Sequence, residues 1–358
     1  MGRSSTPMPP SSAVALWITQ PRTLEYRLEP LTAPGDGEVL VHAVVSALSH
    51  GTEMLVFRGE VPAMLELDLP TLRGSFGFPI KYGYASVGQV VEVGSGLSLG
   101  RPVPHVGQLV FVHHPHQTEY VVPAEMAIPL PAEVEPEIGV FAANLETAVN
   151  VLLDSGIRFG ERLAIFGQGV VGLLITQLAR RSGASSVIAV DPLRHRRDLA
   201  LLFGADAALP PDPQLPSVLR ELTDGIGPDI VIEVSGNSSA LDQAIESVAF
   251  EGTVVVASWY GTKPITLALG GAFHRRRVRL VSSQVSSINP ALQPRWSHAR
   301  RMALVGDLLP KLDLAPLITH RIPFSQAQQA YRLVEAHPEE TVQVILTYEE
   351  EGQCMRSE

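Results

Sequence analysis

The sequence predicts an α/β protein that joins a β-rich unit to a doubly wound parallel sheet. Between residues 13 and 131, short alternating segments are separated by Gly and Pro, as in a β-rich domain. From residue 162 onward, buried strand-like runs alternate with helix-like runs, which is typical of a parallel sheet with helices on both faces. A glycine-rich turn opens this second region at residues 167–172. A chain of 358 residues is too long for one ordinary core and suits two domains.

The spacing of apolar residues places the expected elements along the chain. In the β-rich unit we expect no helix of any length, and strands that include residues 13–18, 38–45, 86–93, 108–112 and 119–123. Helical spacing follows at about residues 137–153. The second unit is expected to contain strands at 162–166, 186–190, 229–234, 252–257 and 278–283, with helices at 170–180, 194–203 and 238–249. Helices at 298–309 and 325–336 and a strand at 341–347 close the chain.

These elements divide the chain into a tail and two domains. Residues 1–12 are rich in Ser and Pro and are expected to form a flexible tail. Residues 145–286 are expected to form the dinucleotide-binding domain. The remainder, 287–358, is too short for a third domain, so we expect it to return and complete the β-rich domain of residues 13–144.

The glycine-rich turn is the stretch that most clearly indicates a ligand. Gly167, Gly169 and Gly172 fit G-x-G-x-x-G between a strand and a helix, with roles in a tight turn, close approach of a pyrophosphate, and helix–strand packing. The free N–H groups of the helix N-terminus favour phosphate. Asp191 ends the next strand about 20 residues later, where a ribose-binding carboxylate is expected. The other residues of the turn, also expected at the cofactor, are Gln168, Val170 and Val171.

Further cofactor contacts are expected where the later strands end, because ligands of doubly wound sheets lie at the carboxyl ends of the strands. The residues expected to form walls around the nicotinamide are Ser235, Gly236, Ser258, Trp259 and Ser283. The carboxylate of Asp191 favours NAD over NADP because it repels a 2′-phosphate. Three nearby cations offset that repulsion in part, so NADP stays possible: Arg194, Arg196 and Arg197.

Composition excludes several classes of protein. The net charge of −10 argues against a general nucleic-acid binder, and no apolar run is long enough for a membrane span. The single cysteine, Cys354, excludes internal disulfides and multi-cysteine metal sites, which fits a cytoplasmic protein. We expect a small-molecule substrate and a homodimer.

Two short motifs and the glycine-rich turn resemble those of the medium-chain dehydrogenase/reductase superfamily. The motifs are Ser49-His50-Gly51-Thr52-Glu53 and Tyr82-Gly83-Tyr84-Ala85-Ser86-Val87-Gly88. The resemblance covers nearly the whole chain. It implies a GroES-like β-rich catalytic domain, a Rossmann dinucleotide-binding domain and a nicotinamide-dependent oxidoreductase.

The resemblance does not extend to the metal. Matched to zinc alcohol dehydrogenases, the ligand cysteine falls on His50, the ligand histidine on Tyr84, the adjacent glutamate on Ala85, and the third ligand near Ala143 or Asn144. These residues do not provide the three or so protein ligands that a catalytic zinc requires. We therefore expect no zinc.

The branch is identified by two further stretches. Gly51-Thr52-Glu53 and Phe141-Ala142-Ala143-Asn144-Leu145-Glu146-Thr147-Ala148 resemble the zinc-lacking branch that contains bacteriochlorophyllide a dehydrogenase. The substrates of that branch are diverse, so the resemblance does not fix a tetrapyrrole.

Without zinc, a side chain has to handle the proton of an alcohol. The hypothesis is that Tyr84 relays this proton, a cationic His50 lowers the pKa of Tyr84, and Glu53 orients the His50 ring. The alternatives are that Tyr84 fills the lost metal volume, His50 caps backbone and Glu53 starts a helix. Thr147 is expected to touch the nicotinamide, as a threonine of the relatives does. Glu146 can face either way on its helix.

Three other stretches have two interpretations. The histidines of residues 113–116 look like a metal cluster, but a solvated or cleft-edge loop is preferred. The basic run 274–279 binds an anion or, as preferred, is a solvated helix end. Residues 60–78 form an apolar lid over a bulky substrate or packing that replaces a metal lobe.

The predicted function is zinc-independent hydride transfer between a nicotinamide cofactor and a secondary alcohol or carbonyl. One alternative is an enoyl reductase of the same superfamily, which would favour NADPH and is disfavoured by Asp191. The other is a non-catalytic dinucleotide-binding protein.

Overall fold

The computed structural model describes residues 12–67, 69, 71–96 and 104–348. Residues 1–11 of the predicted tail and Cys354 lie outside the described residues. Ser12, which we assigned to the tail, already belongs to the first strand. Within the described ranges, no helix is long and apolar enough to cross a membrane.

The first part of the chain is β-rich, as predicted. Its strands are β1 (Ser12–Gln20), β2 (Thr23–Pro30), β3 (Glu38–Ala47), β4 (Ser86–Val93), β5 (Leu109–Val112), β6 (Glu119–Pro123) and β7 (Ile128–Pro129). Its helices are α1 (Thr52–Arg58), α2 (Pro136–Gly139) and α3 (Ala142–Ser155).

The expectation of no helix in this unit is wrong because of α1. Five consecutive residues of α1, from Glu53 to Phe57, are buried, so the helix has no polar face and no amphipathic period to read. Gly59 ends it in a left-handed conformation, with φ of 73°.

The second part alternates strands and helices. The strands are β8 (Arg162–Phe166), β9 (Ser186–Val190), β10 (Ala207–Leu209), β11 (Ile230–Glu233), β12 (Thr253–Val256) and β13 (Arg279–Ser282). The helices are α4 (Val170–Arg181), α5 (Arg194–Leu202), α6 (Leu215–Glu221), α7 (Ser238–Ser247) and α8 (Ala272–Arg275).

These six strands form one parallel sheet in the order β10-β9-β8-β11-β12-β13. The order reverses between β8 and β11, and ligands of such sheets bind beside this point. The central strands are buried on both faces, which explains their continuous apolar sequences. The doubly wound parallel sheet is confirmed.

The last described elements are α9 (His298–Leu308), β14 (Ile318–Pro323), α10 (Ala327–Ala336) and β15 (Gln343–Thr347). β15 pairs antiparallel with β3, so the sheet of the first unit runs β14-β15-β3-β4-β5-β7, with β6 also paired to β3. The C-terminal segment therefore returns to the first sheet. The domain boundaries at residues 144/145 and 286/287 stay predictions, and the first of them falls within α3.

α3 joins the two units. Leu145 of α3 and Phe141, just before the helix, are part of one hydrophobic core. The same core contains Phe111 of the first sheet and Leu163 and Ile165 of the second. The two sheets therefore share a core along α3, and the carboxyl edge of the parallel sheet faces the β-rich unit.

Candidate functional site

The glycine-rich turn has the geometry that its sequence predicts. Gly167 has φ of +101°, and a Cβ there would lie 2.7 Å from the Cα of Ser235. A Cβ on Gly172 would lie 1.9 Å from the carbonyl oxygen of Gly167, so the helix packs against the turn itself. A Cβ on Gly169 would meet no atom within 4 Å. The turn thus leaves open space at the N-terminus of α4.

Gln168 faces away from that space. Its side chain is buried, with Nε2 donating to Ile165 O (3.1 Å) and Oε1 accepting from the Thr176 hydroxyl (3.0 Å). Its side chain is therefore not available to a ligand. The backbone N–H of Gln168 donates to Oδ2 of Asp191 (2.7 Å), which joins the turn to the end of β9.

Asp191 also holds the backbone around it, in addition to its predicted role at the ribose. Its Oδ1 accepts from the backbone N–H of Leu193 (2.8 Å), and the side chain is buried. Each carboxylate oxygen has two lone pairs, so both oxygens keep the capacity to accept a second hydrogen bond. The ribose contact of Asp191 stays a prediction.

A group of buried nitrogens close to Asp191 lacks hydrogen-bond partners among the described residues. The atoms are His50 Nε2, His195 Nε2, Arg196 Nε and His320 Nδ1. The charge of Arg196 acts on both His50 and His195, and Arg196 itself interacts with Asp191. A buried polar group without a partner costs about 1–3 kcal/mol. Arg196 Nε is a donor, and each histidine nitrogen donates or accepts according to its tautomer, so these groups suit a polar ligand.

Arg196 is less available to a 2′-phosphate than the sequence indicated. Its Nη2 donates to the carbonyl oxygens of Pro338 (3.0 Å) and Thr341 (2.9 Å), so the guanidinium connects α5 to the C-terminal segment.

The predicted role of His50 as a cation is wrong. Burial lowers the pKa of His50 to about 3, and the charges of Arg196 and His320 act in the same direction. The ring is therefore neutral at physiological pH, and it lies close to Arg196 and His320.

The partners of the Tyr84 phenol are hydroxyl groups and not a cationic His50. Its phenol donates to Ser49 Oγ (2.5 Å). Burial raises the pKa of Tyr84 to about 12; the charge of Glu53 also raises it, whereas hydrogen bonds with Ser49 and Thr52 lower it. Tyr84 is thus a neutral phenol at physiological pH, in a short series of hydroxyl groups. Sequence reasoning missed Ser49 and Thr52, although both belong to the motif that contains His50.

Glu53 does not orient His50. It is fully buried, and its carboxylate accepts from His116 Nε2 (2.8 Å), from the Tyr331 hydroxyl and from the backbone N–H of Ser49 (3.0 Å). The physical reason is that Glu53 lies in the first turn of α1 and points into the core. It therefore holds the Ser49 backbone and His116 in place.

The three neighbouring histidines separate. His114 stacks on Tyr120 with ring centroids 3.7 Å apart, and burial lowers its pKa to about 3. His116 lies between Ser46 Oγ (2.7 Å) and Glu53. Both are buried, so they are not solvated, whereas the cleft-edge part of the preferred interpretation stays a prediction. Among the described residues, the one group of three residues able to hold a metal is elsewhere and exposed: His337, Glu339 and Glu340.

α3 directs Glu146 inward and Thr147 toward its own backbone. Thr147 Oγ1 donates to Ala143 O (3.1 Å). Glu146 Oε1 accepts from Nη2 (2.7 Å) and Nε (3.0 Å) of Arg301, and Oε2 lies 3.5 Å from Nε2 of His113. Burial by itself raises the pKa of Glu146, but the hydrogen bond with His113 and the charge of Arg301 outweigh it and bring the pKa below its usual value.

Sequence reasoning missed Arg301, which is 2% exposed. Its Nη1 donates to Asn150 Oδ1 (2.5 Å) and its Nη2 to Val285 O (2.6 Å). The available signal was its spacing of four residues from Val305, the other buried residue of α9.

The predicted nicotinamide walls are organised by a buried carboxylate that the sequence reasoning also missed. Glu233 Oε1 accepts from the backbone and hydroxyl of Ser235 (2.7 Å each) and from the backbone N–H of Gly236 (3.1 Å). The same N–H of Gly236 also donates to Ser258 Oγ (2.8 Å). Ser283 lies apart from this group, with its hydroxyl donating to Asp154 on α3 (2.7 Å).

A series of aromatic rings leads from Trp259 to Tyr84. Trp259 is 38% exposed, and its ring centroid lies 5.6 Å from that of Phe76. The ring centroids of Phe76 and Tyr82 are 5.5 Å apart, and those of Tyr82 and Tyr84 are 6.2 Å apart. The Thr71 hydroxyl donates to the carbonyl oxygen of His113. The described part of segment 60–78 thus packs between the end of β12 and Tyr84.

The basic run at residues 274–279 contacts carbonyl oxygens and a carboxylate at the protein surface. Arg276 donates to Glu246 O (2.8 Å), and Arg277 pairs with Glu251 (2.8 Å). This geometry agrees with the preferred interpretation, a solvated helix end.

Comparisons with known proteins agree with this architecture. The family model described as zinc-binding dehydrogenase matches residues 170–303. The chain is 29% identical to D-guloside 3-dehydrogenase of Escherichia coli (strain K12), over 93% of this chain and 99% of that protein.

Solved structures share the fold. A short chain alcohol dehydrogenase from E. coli CFT073 in complex with NADH is 21% identical, with a TM-score of 0.76 over 94% of this chain and 99% of that one. A putative zinc-binding dehydrogenase from Sinorhizobium meliloti 1021 bound to NADP is 23% identical, with a TM-score of 0.72 over the same shares.

The glycine geometry gives a prediction with an internal control. Gly172→Ala should lower the thermal unfolding midpoint, because its Cβ would overlap the Gly167 carbonyl oxygen. Gly169→Ala should leave the midpoint of the free protein unchanged, since its Cβ enters open space, but it should remove the stabilisation that added NADH gives. Thermal unfolding with and without NADH measures both. An unchanged NADH-induced shift in Gly169→Ala would show that the dinucleotide does not bind at this turn.

Proposed function

Because this chain is a member of the medium-chain dehydrogenase/reductase superfamily, we propose that it transfers hydride between NAD and a secondary alcohol without zinc. The observation that carries this proposal is the hydrogen bond that Tyr84, at a position matched to a zinc ligand of the alcohol dehydrogenases, donates to Ser49, the neighbour of the other matched position, His50. The enzymatic class, a nicotinamide-dependent dehydrogenase, agrees with the named dehydrogenase among its relatives.

The residues of the carboxyl edge fit a dinucleotide. The open space at Gly169 and the N-terminus of α4 suit the diphosphate, and the unpartnered Nε of Arg196 provides a further donor. Asp191 would hold the adenosine ribose, while the loop ordered by Glu233 and Thr147 would border the nicotinamide. A bound nicotinamide supplies the hydride acceptor or donor.

The protein's own contribution is to hold and move a proton. A neutral phenol donates well to a developing alkoxide or a carbonyl oxygen. During alcohol oxidation, Tyr84 would accept the hydroxyl proton as it passes its own proton to Ser49 Oγ, and Ser49 would release its own proton through the partly exposed Thr52 hydroxyl to solvent. Such a concerted transfer does not require the Tyr84 pKa to fall to neutrality.

We infer a polyol or sugar-derived secondary alcohol as substrate. Support comes from the relative named D-guloside 3-dehydrogenase and from the aromatic ring of Trp259, since aromatic faces pack well against the C–H faces of sugar rings. The enoyl reductase alternative is disfavoured by the hydroxyl pair, which suits an oxygen rather than a carbon as proton partner.

The finer assignments stay predictions. They are the zinc-lacking branch containing bacteriochlorophyllide a dehydrogenase, the cytoplasmic location, the homodimer and the absence of nucleic-acid and membrane partners.

Cofactor preference tests the role of Asp191. The carboxylate and a 2′-phosphate about 4 Å apart repel by about 4 kcal/mol at an effective dielectric of about 20. NADH should therefore bind at least about tenfold more tightly than NADPH, a difference of about 1.4 kcal/mol. Asp191→Asn should reduce this ratio, whereas Asp198→Asn, which neutralises an exposed carboxylate nearby, should leave it unchanged. Fluorescence titration measures it. Tighter binding of NADPH by the parent protein would reverse the assignment.

Metal content tests the zinc-independent mechanism. Protein purified without a tag should contain far less than one zinc per chain by elemental analysis. Its oxidation of a panel of polyols and glycosides, followed by NADH absorbance, should survive chelation. Stoichiometric zinc whose removal abolishes turnover would contradict the mechanism.

Tyr84→Phe tests the proton relay. General acid–base groups contribute roughly 10²–10⁴-fold, so kcat should fall within that range with unchanged NADH affinity. The matched control is Tyr120→Phe, which removes another buried phenol bonded to a serine, Ser86 (2.8 Å), and should retain kcat. Steady-state kinetics and NADH titration distinguish the two. If Tyr84→Phe turns over within about threefold of the parent, Tyr84 contributes packing and no proton transfer, and Thr147 is the next residue to test.

A further inference from the structure

Glu233 is a fully buried side chain whose two carboxylate oxygens hold two different loops. Oε1 accepts hydrogen bonds from Ser235 and Gly236, in the loop that follows β11. Oε2 accepts from the hydroxyl of Tyr260 (2.6 Å), in the loop that follows β12. Because β11 and β12 are neighbours in the parallel sheet, one side chain connects the two loops at its carboxyl edge.

Two further contacts hold the loop of residues 258–263. Near its start, Ser258 Oγ accepts from the backbone N–H of Gly236 (2.8 Å). Near its end, the backbone N–H of Thr262 donates to the carbonyl oxygen of Glu60 (2.9 Å), which lies in the β-rich unit just after α1. These two contacts hold the ends of the loop, and the phenol that binds Glu233 holds its middle.

The residue between two of these fixed points is Trp259. Its ring is partly exposed and packs against Phe76, so the core does not enclose it. Regions with few buried contacts open most easily, and the position of such a ring depends on the backbone that carries it. The hydrogen bond of the next residue, Tyr260, therefore determines where the Trp259 ring lies.

We propose that Tyr260 is a positioning residue for the substrate, and that its hydrogen bond to Glu233 fixes the ring of Trp259. Without that bond, the loop has to be ordered when the substrate binds, and this ordering cost appears in KM. The effect on the substrate rests on the proposed function, in which Trp259 packs against a polyol or a sugar. The effect on the Trp259 ring does not rest on it.

The position of the ring is tested without any substrate, by acrylamide quenching of tryptophan fluorescence. Tyr260→Phe, which removes only the hydroxyl, should raise the quenching constant by at least about 1.5-fold. The chain has three tryptophans, so the same change is also made in a Trp259→Phe background, where the increase should vanish. Thermal unfolding shows that each variant is folded.

The matched control is Tyr26→Phe. Tyr26 is another partly exposed phenol with a hydrogen bond of 2.6 Å, which it donates to the carbonyl oxygen of Phe324, and its removal should leave quenching unchanged. Equal quenching in Tyr260→Phe and the parent would overturn the proposal. An increase that persists in the Trp259→Phe background would overturn it as well. Neither outcome depends on whether the proposed reaction is correct.

The consequence for the substrate is tested by kinetics on the panel of polyols and glycosides. Tyr260→Phe should raise the KM of the substrate by about 3–10-fold, with kcat and NADH affinity within about twofold of the parent. In a Trp259→Ala background, Tyr260→Phe should raise KM no further, because the ring that it positions is absent. Additive effects of the two changes would contradict the positioning role. Absence of turnover by the parent would contradict the proposed function and leave the fluorescence result standing.

Discussion

The buried ion pair between Arg301 and Glu146 is the contact on which the arrangement of the site depends. It connects α9 to α3, and through Asn150 and Val285 it also holds the segment that follows β13. Because both groups are removed from water, the pair itself adds little net stability, but loss of either partner would leave an uncompensated buried charge, at a cost of about 3–5 kcal/mol. The pair therefore fixes one packing of α9 on α3 more than it adds free energy.

The carboxyl edge of the parallel sheet differs from this ion pair, because several buried nitrogens there have no hydrogen-bond partner among the described residues. The nitrogens of His50, Arg196 and His320 are buried without acceptors among the described residues, and His50 avoids a further cost by staying neutral. The carboxylates Asp191 and Glu233, in contrast, accept hydrogen bonds from backbone N–H groups and hold the two loops at this edge. An edge that combines fixed loops with unpartnered polar nitrogens is preorganised for a polar ligand such as a dinucleotide.

In the proposed mechanism, Tyr84 at a position matched to a metal ligand would change how the alcohol proton is handled. A zinc ion lowers the pKa of the bound alcohol directly. A buried phenol with a pKa of about 12 cannot do so, and it can act only by exchanging one proton for another along hydroxyl groups. Such an exchange would depend on distance and direction, and the backbone groups of Ser49 and Tyr84 are held by hydrogen bonds with Glu53 and His113, respectively.

The sequence alone determined the fold class, most strands and helices, and the glycine-rich turn. Buried parallel strands are continuous apolar runs, and Gly167 and Gly172 occupy positions where backbone atoms approach too closely for a Cβ; both properties are local and leave a mark in the residue types. The tertiary structure alone decided the partners of the polar side chains. Glu53 binds His116 rather than His50 because a short, fully buried helix gives no period from which a direction can be read. Arg301 reaches Glu146 across 155 residues of chain, and a hydrogen bond between elements so distant in sequence follows only from how the two sheets and α3 pack together.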